Sequence, residues 1–134
     1  MMYLLDTCAF IWYIETSGRL PEAVRRIIDT SENIYLSQAT LWEIAIKQTT
    51  GKINLTMTSF ELEDKCREEK ITVLPLESRY FERIKTLPLI HRDPFDRIII
   101  ATAIERDLTL LTKDSEIIKY SGVKTIWQSQ KEEK

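Results

Sequence analysis

Short apolar runs alternate with longer amphipathic stretches along this chain, and that alternation sets the first expectation about its fold. Met2–Leu5, Asn33–Leu36, Ile71–Leu74, Leu108–Thr112 and Lys124–Trp127 read as strands. Thr7-Cys8-Ala9 leads into an aromatic-rich helix over Phe10–Ile14, and Pro21 starts a second helix that reaches Ile28. Ser37 can cap a third over Gln38 to about Gln48, with Trp42, Ala45 and Ile46 on its apolar side. Thr58 and Glu61 have the capping-box spacing, which predicts a charged, partly exposed helix over Ser59–Glu69. Glu77–Thr86 is another helix. Pro94 fits a first helical position and Asp93 the N-cap before it. The helix that follows is apolar almost all round (Ile98 to Ala101, Ala103, Ile104), so it is expected to be buried, with Asp107 ending it in place of a glycine. A short helix over Ser115–Tyr120 precedes the last strand. Strands alternating with helices predict an α/β fold on a parallel sheet, and right-handed crossovers put the strand ends on one edge.

Composition changes this picture little. The chain has 134 residues, 43% hydrophobic and 30% charged, which predicts one domain over 1–127 followed by a polar tail over 128–134. No run has the length of a membrane span, and the N-terminal apolar stretch lacks a basic leader, so neither a membrane nor a signal peptide is expected. Cys8 and Cys66 have no framework or zinc spacing, and reduced thiols in a cytoplasmic protein are the expectation. The net charge of −2 neither indicates nor excludes nucleic acid. If four acids gather in one pocket, the remaining surface is slightly basic.

Candidate chemistry lies in the acids. In open α/β sheets ligands bind beyond the carboxyl ends of the strands. Asp6 and Asp114 follow strands directly, and Asp96 sits in the first turn of a helix that must begin near the end of the strand it feeds. Each acid also has a structural reading. Asp93 and Asp114 are N-caps, Asp96 is favoured by the helix dipole, and Glu43 can pair with Lys47 at i+4. The functional reading depends on their convergence.

Leu4-Leu5-Asp6-Thr7, Ser37 followed by Trp42-Glu43-Ile44, the segment HRDPFDRIIIATA from His91, and Leu110-Leu111-Thr112-Lys113-Asp114 together resemble a PIN-domain protein, closest to the VapC-type toxins of bacterial toxin–antitoxin pairs. The resemblance covers essentially the whole chain. It implies an α/β/α sandwich and a metal-dependent ribonuclease whose acids are Asp6, Glu43, Asp96 and Asp114, with Asp93 and Thr112 in supporting positions. It also implies a cognate antitoxin, RNA as substrate and a homodimer. The residue types agree: carboxylates with water suit Mg²⁺ or Mn²⁺, and no soft-ligand set is present. Arg92, Arg97 and Lys113 are candidate contacts for RNA phosphates. His91 as a general base is disfavoured, because the metal supplies the hydroxide. Two rivals stand beside this reading: a Mg²⁺-dependent phosphoacceptor domain, and a catalytically silent acidic interaction domain.

Overall fold

The computed structural model describes residues 1–127, and the sequence-predicted tail over 128–134 lies outside the described residues. Its strands are β1 (Tyr3–Leu5), β2 (Ile34–Ser37), β3 (Ile71–Leu74), β4 (Thr109–Leu111) and β5 (Lys124–Ile126). All pair in parallel, in the order β3-β2-β1-β4-β5. Parallel neighbours require crossovers, and the helices α1 (Thr7–Ile14), α2 (Glu22–Thr30), α3 (Gln38–Thr49), α4 (Ser59–Glu68), α5 (Ser78–Ile84), α6 (Pro94–Arg106) and α7 (Ser115–Ile118) supply them.

Adjacent residues of a strand face opposite sides of the sheet, so an apolar pair serves both. Leu5, Leu36 and Leu111 pack with Ala9, Phe10, Val24 and Leu62 from α1, α2 and α4. Leu4 and Leu110 pack with Tyr80, Ile99, Ile100 and Ile117 from α5, α6 and α7 on the other side. The expected α/β/α layering follows. The predicted helix over the HRDPF segment is buried as its composition requires, with Ile98–Ala103 all inaccessible or nearly so.

Element ends fall close to their predicted positions, with one informative difference. The first helix starts at Thr7 rather than Phe10, because the Asp6 carboxylate accepts a hydrogen bond from the Ala9 N–H at 2.8 Å and caps it. Asp6 thus closes a strand and opens a helix at once. The predicted capping box is present, with Thr58 and Glu61 bonded reciprocally. Asp107 ends α6 in the left-handed region (φ 56°), and Leu108 N–H bonds back to Ala103 O at 2.9 Å.

The sheet order places β1 between β2 and β4. The chain first winds outward through β2 and β3, then returns to add β4 on the other side. The reversal opens a crevice beyond the ends of β1 and β4. The irregular segment joining α5 to α6 reaches that crevice at Asp93, and Arg97 holds the segment. The guanidinium donates to the carbonyls of Ile84 (3.1 Å), Pro88 (3.0 Å) and His91 (3.4 Å) and to the Tyr120 hydroxyl (3.4 Å). Tyr120 Oη in turn accepts from His91 N–H at 2.7 Å.

Lysine cannot reproduce that planar fork. We therefore expect Arg97→Lys to cost about 1.5–3 kcal/mol, the scale of charged hydrogen bonds lost from partly buried acceptors. Denaturant melts should report the loss, and hydrogen exchange should place the added opening between Lys85 and Asp93. Unchanged protection there would contradict this role.

Candidate functional site

The crevice is a cavity of about 710 Å³, and Asp6, Glu43, Asp93, Asp96 and Asp114 all line it. They reach it from the end of β1, the middle of α3, the start of α6 and the segment after β4. The five acids that the sequence singled out are therefore neighbours in space.

Asp6 is 6% exposed. Burial pushes its carboxyl up to about 6, against the opposing effects of the Thr112 hydroxyl and the Ala9 N–H, while the charges of Asp114 and Glu43 raise it further. Thr112 is itself buried and accepts from Asp114 N–H at 3.1 Å, so one hydroxyl stands beside both acids.

Glu43 is 3% exposed and held from two sides. Thr7 Oγ1 donates to its Oε1 at 2.6 Å and Lys47 Nζ to its Oε2 at 2.6 Å. The i+4 pair that sequence spacing suggests does form, but half-buried and lining the cavity rather than on a fully solvated face. Thr7 was not singled out from the sequence. Its only signal is its place directly after Asp6.

Asp96 is pushed up to about 7, first by burial and then by the charge of Asp93, with Glu43 and Asp6 adding to it and His91 opposing. Asp93 Oδ1 caps α6 through Phe95 N–H at 2.8 Å, and Asp114 Oδ1 caps α7 through Glu116 N–H at 2.8 Å. Their structural roles are real and coexist with a place at the cavity.

His91 is the residue that sequence reasoning undervalued. Its Nε2 lies 2.9 Å from Asp114 Oδ2 and 3.0 Å from Asp96 Oδ2. Asp93 N–H points to Nδ1 at 3.2 Å, which favours the proton on Nε2 in the neutral ring; the imidazolium carries one there too. Burial works against the cation, yet the hydrogen bond to Asp114 and the surrounding carboxylate charges raise its affinity for a proton. The signal was present in the His-x-Asp spacing, which lets the imidazole accept from the backbone two residues on.

The proposed phosphate contacts separate. Lys113 is exposed and lines the cavity. Arg97 is committed to carbonyl groups of the α5–α6 segment, and Arg92 is exposed away from the cavity lining. Arg19 and Lys52, distant in sequence, line the cavity instead.

Similarity to known proteins agrees with this architecture. The PIN domain model matches residues 3–123. The chain belongs to the PIN-domain family. PIN domains are nucleases, so a hydrolase is the coarse class of this site. Among solved structures, VapBC2 from Rickettsia felis bound to a promoter DNA fragment aligns at TM-score 0.68 and 14% identity, over 95% of this chain and 99% of that one. DNA-bound VapBC from Salmonella typhimurium aligns at TM-score 0.68 and 18% identity, over 94% and 97%. A toxin–antitoxin complex from Klebsiella pneumoniae aligns at TM-score 0.60 and 20% identity, over 90% and 94%. At these identities the likeness is one of fold. No curated protein sequence matches the chain. Among the described residues, no helix is long and apolar enough to cross a membrane.

The donor set suits a hard divalent cation. The pocket's acids are oxygen donors, ligand atoms of His91, Asp96 and Asp114 lie within 4.8 Å of one another, and two carboxylates are held above their ordinary range by burial and mutual charge. Acids outnumber cations around the cavity.

A pH dependence follows. In chelator, folded protein retains protons on Asp6 and Asp96 where the unfolded chain, with carboxyls near 3.8, has released them. Stability in that state should therefore fall as pH rises from about 4 towards 7, because the folded form binds more protons. Asp96→Asn should flatten the fall, and Mn²⁺ should raise Tm most at the upper end of the range. Thermal melts across pH with chelator or metal read both effects. An Asp96→Asn profile parallel to wild type would overturn the assignment.

Proposed function

We propose that this chain is a Mg²⁺- or Mn²⁺-dependent endoribonuclease that acts as the toxin of a toxin–antitoxin pair. The observation that carries the reading is the gathering of Asp6, Glu43, Asp96 and Asp114 around one cavity, with Asp6 and Asp96 raised first by burial and then by the neighbouring carboxylates. Membership in the PIN-domain family supports the nuclease class, and the toxin–antitoxin complexes among similar folds support the biological role.

Asp6, Asp96 and Asp114 would hold the cation, and Glu43 would ligate it or orient a water. When bound, the ion supplies Lewis acidity and makes hydroxide available near neutral pH. The protein's share is positioning. The Ala9 N–H fixes Asp6, while Thr7 and Lys47 fix both oxygens of Glu43. His91 places Nε2 between Asp96 and Asp114, where a divalent ion would supply the positive charge instead. Lys113 at the cavity rim is placed to meet an RNA phosphate.

A cognate antitoxin would exploit the same excess of acids by inserting a cation among them. The homodimer implied by the sequence resemblance has a candidate surface elsewhere, in an apolar groove of about 200 Å³ among α3, α5 and α6 lined by Trp42, Phe81, Ile84 and Phe95. Trp42 there is 57% exposed and packs edge-on to Phe95. The phosphoacceptor rival is weakened by Asp6, whose buried carboxylate is already engaged by the Ala9 N–H that caps α1.

Partner-free protein should cleave RNA with Mg²⁺ or Mn²⁺ and stop in chelator, with single- and double-stranded DNA as the comparison substrates. Asp6→Asn should lose more activity than the roughly 10–100-fold typical of an outer-shell change. Asp93→Ala should instead lose about 0.5–2 kcal/mol of stability and keep metal-dependent cleavage. Undiminished cleavage by Asp6→Asn would sink the proposal. Trp42→Glu should separate the dimer in sedimentation without changing metal binding, and a sedimentation profile matching wild type would reject the groove as its interface.

A further inference from the structure

Helix α1 carries more than the cap at Asp6. Cys8, Ile11, Trp12 and Glu15 fall on one helical face, and that face lines the carboxylate cavity. Ala9, Phe10 and Tyr13 turn the other way into the core. Trp12 is therefore half-buried at the cavity wall, about one and a half turns beyond the acid that anchors the site.

Two cations converge on its indole. The Arg19 guanidinium carbon lies 4.7 Å from the ring centroid and Lys113 Nζ lies 5.6 Å from it. Trp127 flanks the ring at 6.2 Å between centroids, tilted by 53°. Lys113 directly precedes Asp114, so the aromatic and the carboxylates share a wall. Among the described residues, neither Arg19, Lys113 nor the neighbouring Lys52 has a carboxylate within salt-bridge distance, whereas Lys47 is taken by Glu43. The cavity thus has acids within and uncommitted cations on the rim.

We propose that Trp12, with Arg19 and Lys113, is a stacking subsite for one unpaired RNA base beside the carboxylate cavity. The inference rests on the nuclease reading and extends it to a residue outside the carboxylate set: Trp12 supplies the face on which the base stacks. A polyanion nearing an acid pocket is repelled unless cations flank the path, and Arg19, Lys52 and Lys113 flank it here. A base stacks on an aromatic face without regard to sequence, and an Arg or Lys beside that face can exchange the ring for a flanking phosphate. A base held in a duplex cannot do this, because its faces are covered by its neighbours. A protein partner's side chain could also meet Trp12, but two uncommitted cations at one ring favour an anionic backbone.

The experiment uses full-length Asp96→Asn protein, which leaves RNA uncut under the nuclease reading, and a fluorescein-labelled random-sequence single-stranded 12-mer RNA. Its companions are an abasic 12-mer with the same backbone and a duplex 12-mer. Trp12→Leu, which keeps apolar packing but removes the aromatic face, should weaken binding of the intact strand on the order of 10–100-fold. It should leave the abasic strand nearly unaffected, and Trp12→Phe should restore most of the loss. Arg19→Ala and Lys113→Ala should each lower the salt dependence by about one phosphate contact. In the cleaving parent, Trp12→Leu should raise KM more than it lowers kcat. Thermal melts verify that each variant is folded.

Equal weakening of intact and abasic strands would overturn the subsite, as would duplex bound as tightly as single strand. A Trp12→Leu variant that binds and cuts the 12-mer normally but no longer retains a protein partner would overturn it in favour of protein contact. If the parent cleaves RNA while Trp12 changes nothing, the subsite fails and the nuclease stands. If the parent neither binds nor cleaves any RNA, both fail.

Discussion

The rest of this structure depends on anchoring several carboxylates close together without neutralising them. Backbone N–H groups at helix starts do the anchoring. One oxygen of Asp6, Asp93 and Asp114 caps α1, α6 and α7 respectively, and for Asp114 the other oxygen turns to His91. Right-handed crossovers bring those helix starts to the same edge of a parallel sheet, so the positive ends of their dipoles meet there. Even so, burial is the largest influence on Asp6 and leaves its carboxyl raised despite the opposing Ala9 N–H and Thr112 hydroxyl. The fold therefore holds a site that remains receptive to a cation.

Capping and function are usually weighed as alternatives for an acid, and here that opposition fails. Asp93 and Asp114 are caps, as local spacing suggested, and both line the cavity. Asn caps a helix about as well as Asp, so an Asp→Asn change separates the two contributions. It keeps the hydrogen bond to the helix start and removes the charge. Loss of metal response in such a variant would measure charge, while stability lost only in the Asp→Ala counterpart would measure the cap.

Legibility in the sequence followed distance along the chain. The strands were readable because a strand buried on both faces is a continuous apolar run. Asp6, Asp96 and Asp114 were readable because topology alone carries strand ends and helix starts to one edge. Glu43 was half-readable: its pair with Lys47 is local, but its bond from Thr7 spans 36 residues. Arg97 misled for a geometric reason. One residue along a helix is a turn of about 100°, so the neighbour of a cavity-facing Asp96 points elsewhere, here to carbonyls of the α5–α6 segment. Arg19 and Lys52 were invisible because only tertiary packing brings them to the cavity.

His91 shows how the parts act on one another. Its backbone N–H is fixed by Tyr120, its carbonyl by Arg97, and its ring by the Asp93 N–H and two carboxylates. The segment carrying it has no regular structure, so these bonds, rather than a helix or strand ladder, determine where Nε2 lies. Arg97, though turned from the cavity, thereby governs its electrostatics: a shift in this segment would leave Asp96 and Asp114 facing one another without the proton between them. Repulsion between two charges that close is about 1 kcal/mol in water and larger where solvent is excluded. An arginine committed to backbone carbonyls is thus a determinant of the charge displayed in the cavity.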